Sequence, residues 1–105
     1  MITLEYSKLG TPINDWEAKS FVLNLINAGN DTEIYRISSE KPFHLIRQMV
    51  VHDEIPAELF CFLYDGNFMH LNTYGAIFDG WAEGFCDEIP TIAEDIIRTA
   101  LNKGK

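Results

Sequence analysis

The sequence has few basic residues. Its 105 residues include 8 Lys and Arg against 16 Asp and Glu, which gives a formal net charge of −8 at pH 7. A charge of this sign repels nucleic-acid backbones and anionic membrane headgroups. We therefore expect no direct nucleic-acid partner. A protein that imitates DNA is the weaker alternative, because such proteins carry denser charge runs and fewer aromatic residues.

Paired cysteines and long apolar runs are also missing. Cys61 and Cys86 form no C-x-x-C pair, and no histidine stands at the spacing of a metal ligand. Both cysteines lie among apolar residues, which is typical of buried free thiols in a reducing compartment. No run approaches the roughly 20 apolar residues of a membrane span, and the N-terminus does not resemble a signal peptide. The sequence predicts a soluble cytoplasmic protein without metal, cofactor or membrane contact.

Recognisable catalytic motifs are absent as well. The chain has neither of the two common glycine-rich phosphate loops, which excludes autonomous nucleotide hydrolysis. His44, His52 and His70 lie in different predicted elements, and none has an evident nucleophile partner in the sequence. We therefore predict that the protein is not an enzyme. The alternative is a site built from His52 or His70 with a nearby carboxylate.

The residues that are present predict one α/β domain over residues 1–105. Hydrophobic residues make up 47% of the chain, enough for a packed core. The element order β-α-β-α-β-β-α predicts a small, mostly parallel sheet with a C-terminal antiparallel hairpin and helices packed on it. A thioredoxin-like arrangement has the same order and is the structural alternative, although its redox cysteine pair is missing. The predicted strands cover residues 2–6, 33–37, 59–64 and the hairpin up to 71.

Three helices are predicted from capping residues and apolar spacing. The first follows a capping box of Asn14 and Glu17, has Trp16 on its apolar side and ends at Gly29. The second is capped by Ser38 or Ser39 and covers residues 41–52. The third starts near residue 90 with a Thr91 cap, carries apolar residues up to Leu101 at helical spacing, and ends at residue 104.

An aromatic and acidic loop follows the hairpin. Residues 76–95 contain six acidic residues and no basic one, interleaved with three aromatic residues. Aromatic residues beside charge of one sign are typical of a docking surface for a basic partner. A solvated loop is the alternative. The predicted partner-binding residues are Phe78, Asp79, Trp81, Glu83, Phe85, Asp87 and Glu88.

The segment from residue 75 to residue 88 resembles a W-P-x-G-F-[FC]-D element of ABC-type ATPases. These ATPases are related to the OLD, RecF and SMC families, and many are found in phage-defence loci. Preceding elements of that family have counterparts here in the same order, at residues 36–40, 45–47 and 55–58, followed by the hairpin. Residues 2–6 would match the Walker B strand and residues 10–14 the D-loop. The resemblance implies the C-terminal half of an ATPase head.

The chain departs from those ATPases where they carry out catalysis. Glu5 is followed by Tyr6 and Ser7 instead of a second acid for Mg²⁺, and Ser38 or Ser39 replaces the histidine that senses the γ-phosphate. The Walker A loop and the ABC signature are missing. The resemblance therefore implies a non-catalytic accessory protein, a degenerate ATPase-like lobe that docks onto an ATPase subunit in a bacterial or phage defence complex.

The net charge supports a second function equally well. An acidic immunity or inhibitor protein that blocks a basic nuclease or toxin would carry a charge of this sign and size. The sequence leaves open the identity of the partner, the pathway and whether the chain forms a homo-oligomer.

Overall fold

The computed structural model describes the backbone of residues 1–77 and 90–103, and the side chains of residues 1–77 and 95–103. Within these residues strands and helices follow the predicted order, which confirms the α/β class. Short 3-10 turns at Asp15–Glu17 and Ala57–Leu59 precede the first helix and the third strand. The elements are β1 (Ile2–Thr11), α1 (Ala18–Ala28), β2 (Ile34–Ile37), α2 (Lys41–Val51), β3 (Phe60–Tyr64), β4 (Asn67–His70) and α3 (Pro90–Lys103).

The four strands form one sheet in the order β2-β1-β3-β4. β1 pairs in parallel with β2 and β3, whereas β4 pairs antiparallel with β3. Asp65 and Gly66 join β3 to β4 with positive φ angles of 49° and 78°. A two-residue turn that matches strand twist needs positive φ at both positions, and Asp-Gly is suited to it. The mostly parallel sheet with a C-terminal antiparallel hairpin is confirmed.

One face of the sheet carries the core. The register places Leu4 beside Phe62 and Tyr6 beside Tyr64 on this face. The ring of Phe43, from α2, lies 5.0 Å from the ring of Phe62 and 5.9 Å from that of Tyr6. Helix residues of the same buried cluster are Val22, Leu25, Phe43, Ile46 and Val50. Both α1 and α2 therefore cover the same face.

This arrangement requires one left-handed crossover. The chain passes from β1 to β2 in one direction along the sheet, then returns across β1 to reach β3. Each passage joins parallel strands, and each places its helix on the core face. Reversing the direction of a crossover while keeping its face reverses its hand. Nearly all such crossovers are right-handed, so one of these two breaks the rule.

β1 extends further than the sequence predicted. It continues to Thr11 instead of ending at Tyr6, because the register shifts and both residues pair with Ile37 of β2. Gly10 allows this second approach, since a Cβ atom at its position would lie 2.7 Å from the Ile37 backbone. The strand therefore ends only before Pro12.

The start of α1 differs from the prediction. Asn14 Nδ2 donates to Glu17 Oε1 over 3.0 Å, and the Glu17 backbone N–H donates to the Asn14 carbonyl oxygen over 2.9 Å. The two residues meet, but neither side chain caps a backbone N–H group as a capping box requires. Trp16 lies in the 3-10 turn and is 81% exposed, so its predicted place on the apolar side of the helix is wrong. Gly29 ends α1 as predicted, but its φ of −66° and ψ of 146° are extended and not the left-handed values usual for a glycine after a helix.

The predicted caps of α2 and α3 are not formed as expected. Glu40 is the N-cap of α2, with no side-chain capping bond, while Ser39 Oγ accepts the Ile13 backbone N–H over 2.7 Å. α3 begins at Pro90, which places Thr91 inside the helix instead of before it. Leu101 is 67% exposed, so not every residue of the predicted apolar series of α3 lies in the core. Residue 104, its predicted end, lies outside the described residues.

Two further predictions concern the thiols and the membrane. Cys61 is buried, as predicted, on β3; Cys86 lies outside the described residues. Among the described residues, no helix combines the length and apolar character that crossing a membrane requires.

Candidate functional site

The predicted docking loop cannot be placed on the structure. Its residues Phe78, Asp79, Trp81, Glu83, Phe85, Asp87 and Glu88 all lie outside the described residues. Their role in partner binding therefore stays a prediction.

The positions at which the resemblance would place ATPase chemistry are engaged in structural contacts. Glu5 Oε1 accepts from Arg36 Nε over 2.6 Å, and the Glu5 side chain is only 17% exposed. Tyr6 packs in the aromatic cluster of the core. Ser39 is one of the two residues that would replace the histidine sensing the γ-phosphate. Its hydroxyl oxygen accepts the Ile13 N–H and so joins the start of α2 to the segment after β1. These side chains hold strands and connections together.

His52 and a carboxylate do come together, at the contact of α2 with α3. His52 Nε2 lies 3.0 Å from Asp95 Oδ2 and 3.5 Å from Thr99 Oγ1. In a catalytic triad the carboxylate and the nucleophile bind opposite ring nitrogens, but here both groups approach Nε2. The two ionisable side chains are about two-fifths exposed, at 40% and 39%. The geometry is that of a surface contact between helices.

Hydrogen bonds favour the charged form of Asp95. Gln48 Nε2 donates to Asp95 Oδ2 over 2.7 Å, and His52 contacts the same oxygen. The Gln48 hydrogen bond, followed by that of His52, holds the pKa of the Asp95 carboxyl group below its ordinary value. Asp95 therefore joins two residues of α2 to α3 while it is ionised.

His44 has a structural role too. It is only 2% exposed, and Arg47 Nη1 lies 3.0 Å from its Nδ1 atom. A guanidinium group has donors only, so Nδ1 accepts this bond and carries no proton. Arg47 Nε also donates to the carbonyl oxygen of Gly75 over 2.7 Å, which fastens the loop after β4 to α2. Among the described residues, no group of three His, Cys, Asp or Glu side chains could hold a metal ion.

Among the described residues, the strongest candidate for a binding site is a shallow groove along the outer side of α1, formed by two adjoining depressions. It starts beside the 3-10 turn and reaches the sheet at β2, and Phe21 and Asn24 line both of its halves. Lining residues of α1 recur every three or four positions, which places them on one side of the helix. The lining residues are Ile13, Trp16, Glu17, Ser20, Phe21, Asn24, Leu25, Ala28, Gly29 and Tyr35.

The groove offers apolar and aromatic contacts. Trp16 is 81% exposed at one end, because the 3-10 turn keeps its side chain out of the core. Phe21 and Tyr35 are half-buried along the groove. Aromatic side chains that are rigid and accessible dominate the affinity of many protein interfaces. A partner that covered Trp16 would bury a large apolar surface.

The charges around the groove are acidic. Asp15 and Glu17 stand at the end near Trp16, and Asp31 and Glu33 stand in the turn that leads into β2. Of the described residues that line the groove, Glu17 is the only one with a charge. Lys19 lines a different depression, between α1 and α2. The surface is therefore complementary to a basic partner.

Sequence reasoning missed this groove because it depends on tertiary placement. The residue pattern assigned Trp16 to the core side of a helix, and it did not specify that β2 would be an edge strand. An aromatic residue between two acids, Asp15 and Glu17, was the available indication of exposure.

The chain matches no protein-family model, no curated protein and no solved structure.

Proposed function

We propose that this chain is a non-catalytic protein that works by binding a basic surface of another protein. The observation that carries this proposal is the groove along α1, which combines an 81% exposed Trp16 with acidic residues at both ends. The net charge of −8 would attract a basic partner and speed its encounter with the groove.

The contacts of the ATPase-like positions support the non-catalytic part of the proposal. Glu5 is paired with Arg36, and Ser39 binds the backbone of Ile13. Side chains held in such contacts contribute to stability, and using them for Mg²⁺ or phosphate would require breaking those contacts first. These contacts therefore fit a lobe that has kept the order of elements of an ATPase head but not its catalytic residues.

The leading partner is an ATPase-type subunit, in a bacterial or phage defence complex. The resemblance of residues 75–88 to an ATPase element suggests it, and that loop would then provide a contact in addition to the groove. The second candidate is a basic nuclease or toxin that this chain inhibits, which the acidic ends of the groove favour. In either case we place the interaction in the cytoplasm.

Binding to the products of neighbouring genes tests the proposal. Mass photometry would show complex formation, and interferometry would give the affinity for wild type and for Trp16→Ala. Because Trp16 would be an interface anchor, we expect Trp16→Ala to weaken binding at least about thirtyfold. Leu101→Ala, on α3, is the matched control at an exposed apolar residue and should stay within about twofold. Equal affinities of wild type and Trp16→Ala would refute the groove as the site.

Salt dependence separates the two candidate functions. An inhibitor of a basic enzyme should lose most of its affinity between roughly 50 mM and 500 mM salt, because exposed charge pairs are screened. It should also lose affinity when Asp79, Glu83, Asp87 and Glu88 are neutralised together. An accessory lobe anchored mainly by Trp16 should lose clearly less affinity for its ATPase subunit over the same salt range. If the chain stayed a free monomer in the presence of every neighbouring gene product, that result would count against both candidate functions.

A further inference from the structure

β2 is an edge of the sheet. It pairs with β1 on one side, and among the described residues no strand pairs with its other side. An edge strand presents backbone N–H and C=O groups that a further strand can bind. β2 has four residues, so an added strand would form only a few such bonds and would need side-chain contacts as well.

The side chains of β2 divide between the two faces of the sheet. Tyr35 lies on the core face and lines the groove, whereas Ile34 lies on the opposite face and is 54% exposed. A strand added beside β2 would alternate in the same way. Its side chains on the core face would enter the groove against Phe21 and Ala28. Its other side chains would lie next to Ile34.

We propose that the outer edge of β2 binds an extended, basic segment of the partner as a fifth strand of the sheet. This inference rests on the proposed function and specifies how the groove is used. Backbone hydrogen bonds to β2 would provide affinity, and the groove would select apolar side chains at alternate positions. Asp31 and Glu33, directly before β2, would attract basic side chains at one end of the segment.

The charges decide between two occupants of this edge. A second copy of this chain would bring another net charge of −8 against the first, so self-pairing at β2 is opposed. A basic segment is attracted by the same field. Arg36 also lies on β2, but its Nε atom is bound to Glu5 Oε1 over 2.6 Å, so its charge is paired within the protein. The edge is therefore suited to a cationic strand.

A synthetic peptide tests strand addition directly. The probe is a peptide of about eight residues that alternates valine and lysine. Its control has the same sequence with N-methylated backbone amides on one edge, which removes donors and keeps the charge. Binding to isotope-labelled protein would be followed by NMR. We expect the control to bind at least about tenfold more weakly, and the shifts caused by the probe to centre on residues 16–37.

Two edge variants provide the matched comparison. Ile34 on β2 and Phe68 on β4 are each 54% exposed, and each belongs to an edge strand of the same sheet. Ile34→Lys should weaken peptide binding about tenfold, because it puts a like charge beside the added strand. Phe68→Lys should leave the affinity within about twofold. Circular dichroism of both variants checks that they remain folded.

The outcomes separate this inference from the proposed function. If the probe and its N-methylated control bind equally well, and Trp16→Ala weakens both, the groove binds basic partners but strand addition is wrong. If neither peptide binds, strand addition is wrong, and the proposed function is decided separately by the binding of neighbouring gene products. A dimer without peptide that Ile34→Lys dissociates would assign the edge to a second copy and overturn the inference.

Discussion

The two helices that cover the core face of the sheet are held in different ways. α2 lies between α1 and α3, and α3 is fastened to it by polar contacts. Gln48 and His52 bind Asp95, and Lys103 Nζ donates to the carbonyl oxygen of Val51 at the end of α2. Among the described residues, α1 packs against α2 on one side, and its other side borders the groove.

This difference separates stability from binding. Side chains of α2 are already used for contacts within the protein, so replacing them should mainly change the free energy of unfolding. Side chains on the outer side of α1 are accessible, so replacing them should mainly change the affinity for a partner. Substitutions on the α2 side test that separation, and the two largest expected effects are each compared with a substitution on the α1 side.

The largest difference is expected between two aromatic residues. Phe43 on α2 is 0% exposed and touches the rings of Phe62 and Tyr6, whereas Trp16 beside α1 is 81% exposed. Phe43→Ala should lower the free energy of unfolding by about 3–5 kcal/mol, because it leaves a cavity. Trp16→Ala should change it by less than about 0.5 kcal/mol. Urea unfolding measures both, and similar losses in the two variants would contradict the separation.

A smaller difference is expected between two lysines. Lys103 Nζ donates to the carbonyl oxygens of Val51 and Thr73, at 3.1 Å and 2.7 Å, and binds Asp53 Oδ1 at 2.8 Å. Lys103→Met keeps the aliphatic stem and removes these donors, so we expect a loss of about 1–2 kcal/mol in unfolding free energy. Lys19→Met on α1, where the side chain is exposed, should lie within about 0.5 kcal/mol of wild type.

If both lysine variants were as stable as wild type in thermal and urea unfolding, α3 would contribute little through Lys103. The difference in how α1 and α2 are held would then depend on apolar contacts alone, such as those of Ile96 of α3, which is 2% exposed.

The smallest effect should depend on pH. The folded-state pKa of Asp95 lies below its ordinary value, first because of the Gln48 hydrogen bond. The stabilisation is therefore fully present above the ordinary value, about 4, and is lost as the pH falls through the lowered pKa. Asp95→Asn should cost less than about 1 kcal/mol at pH 7, since the side chain is partly exposed. The gap to wild type should shrink during acidification from about pH 5.

Gln48→Ala provides the control for this pH dependence. It removes the principal donor to Asp95, so the variant should lose less stability than wild type over the same acid range. A gap between Asp95→Asn and wild type that stayed constant from about pH 5 to about pH 2.5 would show that the contact of α2 with α3 does not depend on ionised Asp95.

The elements themselves were predictable from local patterns. Alternation over residues 2–6, the apolar run before Tyr64 and the Asp65-Gly66 turn each depend on neighbours in sequence, and each appears in the structure. The errors lie at the ends of elements. β1 continues past Tyr6 because it pairs with Ile37 a second time, a long-range contact that no local pattern contains.

The candidate groove was less predictable than the elements that form it. Its residues come from the segment before α1, from α1 and from β2, so it depends on how these elements meet. His52 and Asp95 are likewise 43 positions apart in sequence, and only the packing of α2 against α3 brings their side chains together. Hydrophobic periodicity indicates which side of a helix is apolar, but it does not indicate which helix will stand at the edge of the structure.

The sequence by itself determined the α/β class, the order of strands and helices, the acidic charge and the absence of recognised catalytic motifs. These properties depend on composition and on local periodicity. Only the tertiary structure decided that α1 and α2 share one face, that one crossover is left-handed and that β2 is an edge strand of the described sheet. These features follow from long-range strand pairing and from the burial of apolar side chains. Both depend on residues that are distant in sequence and meet only in the folded chain.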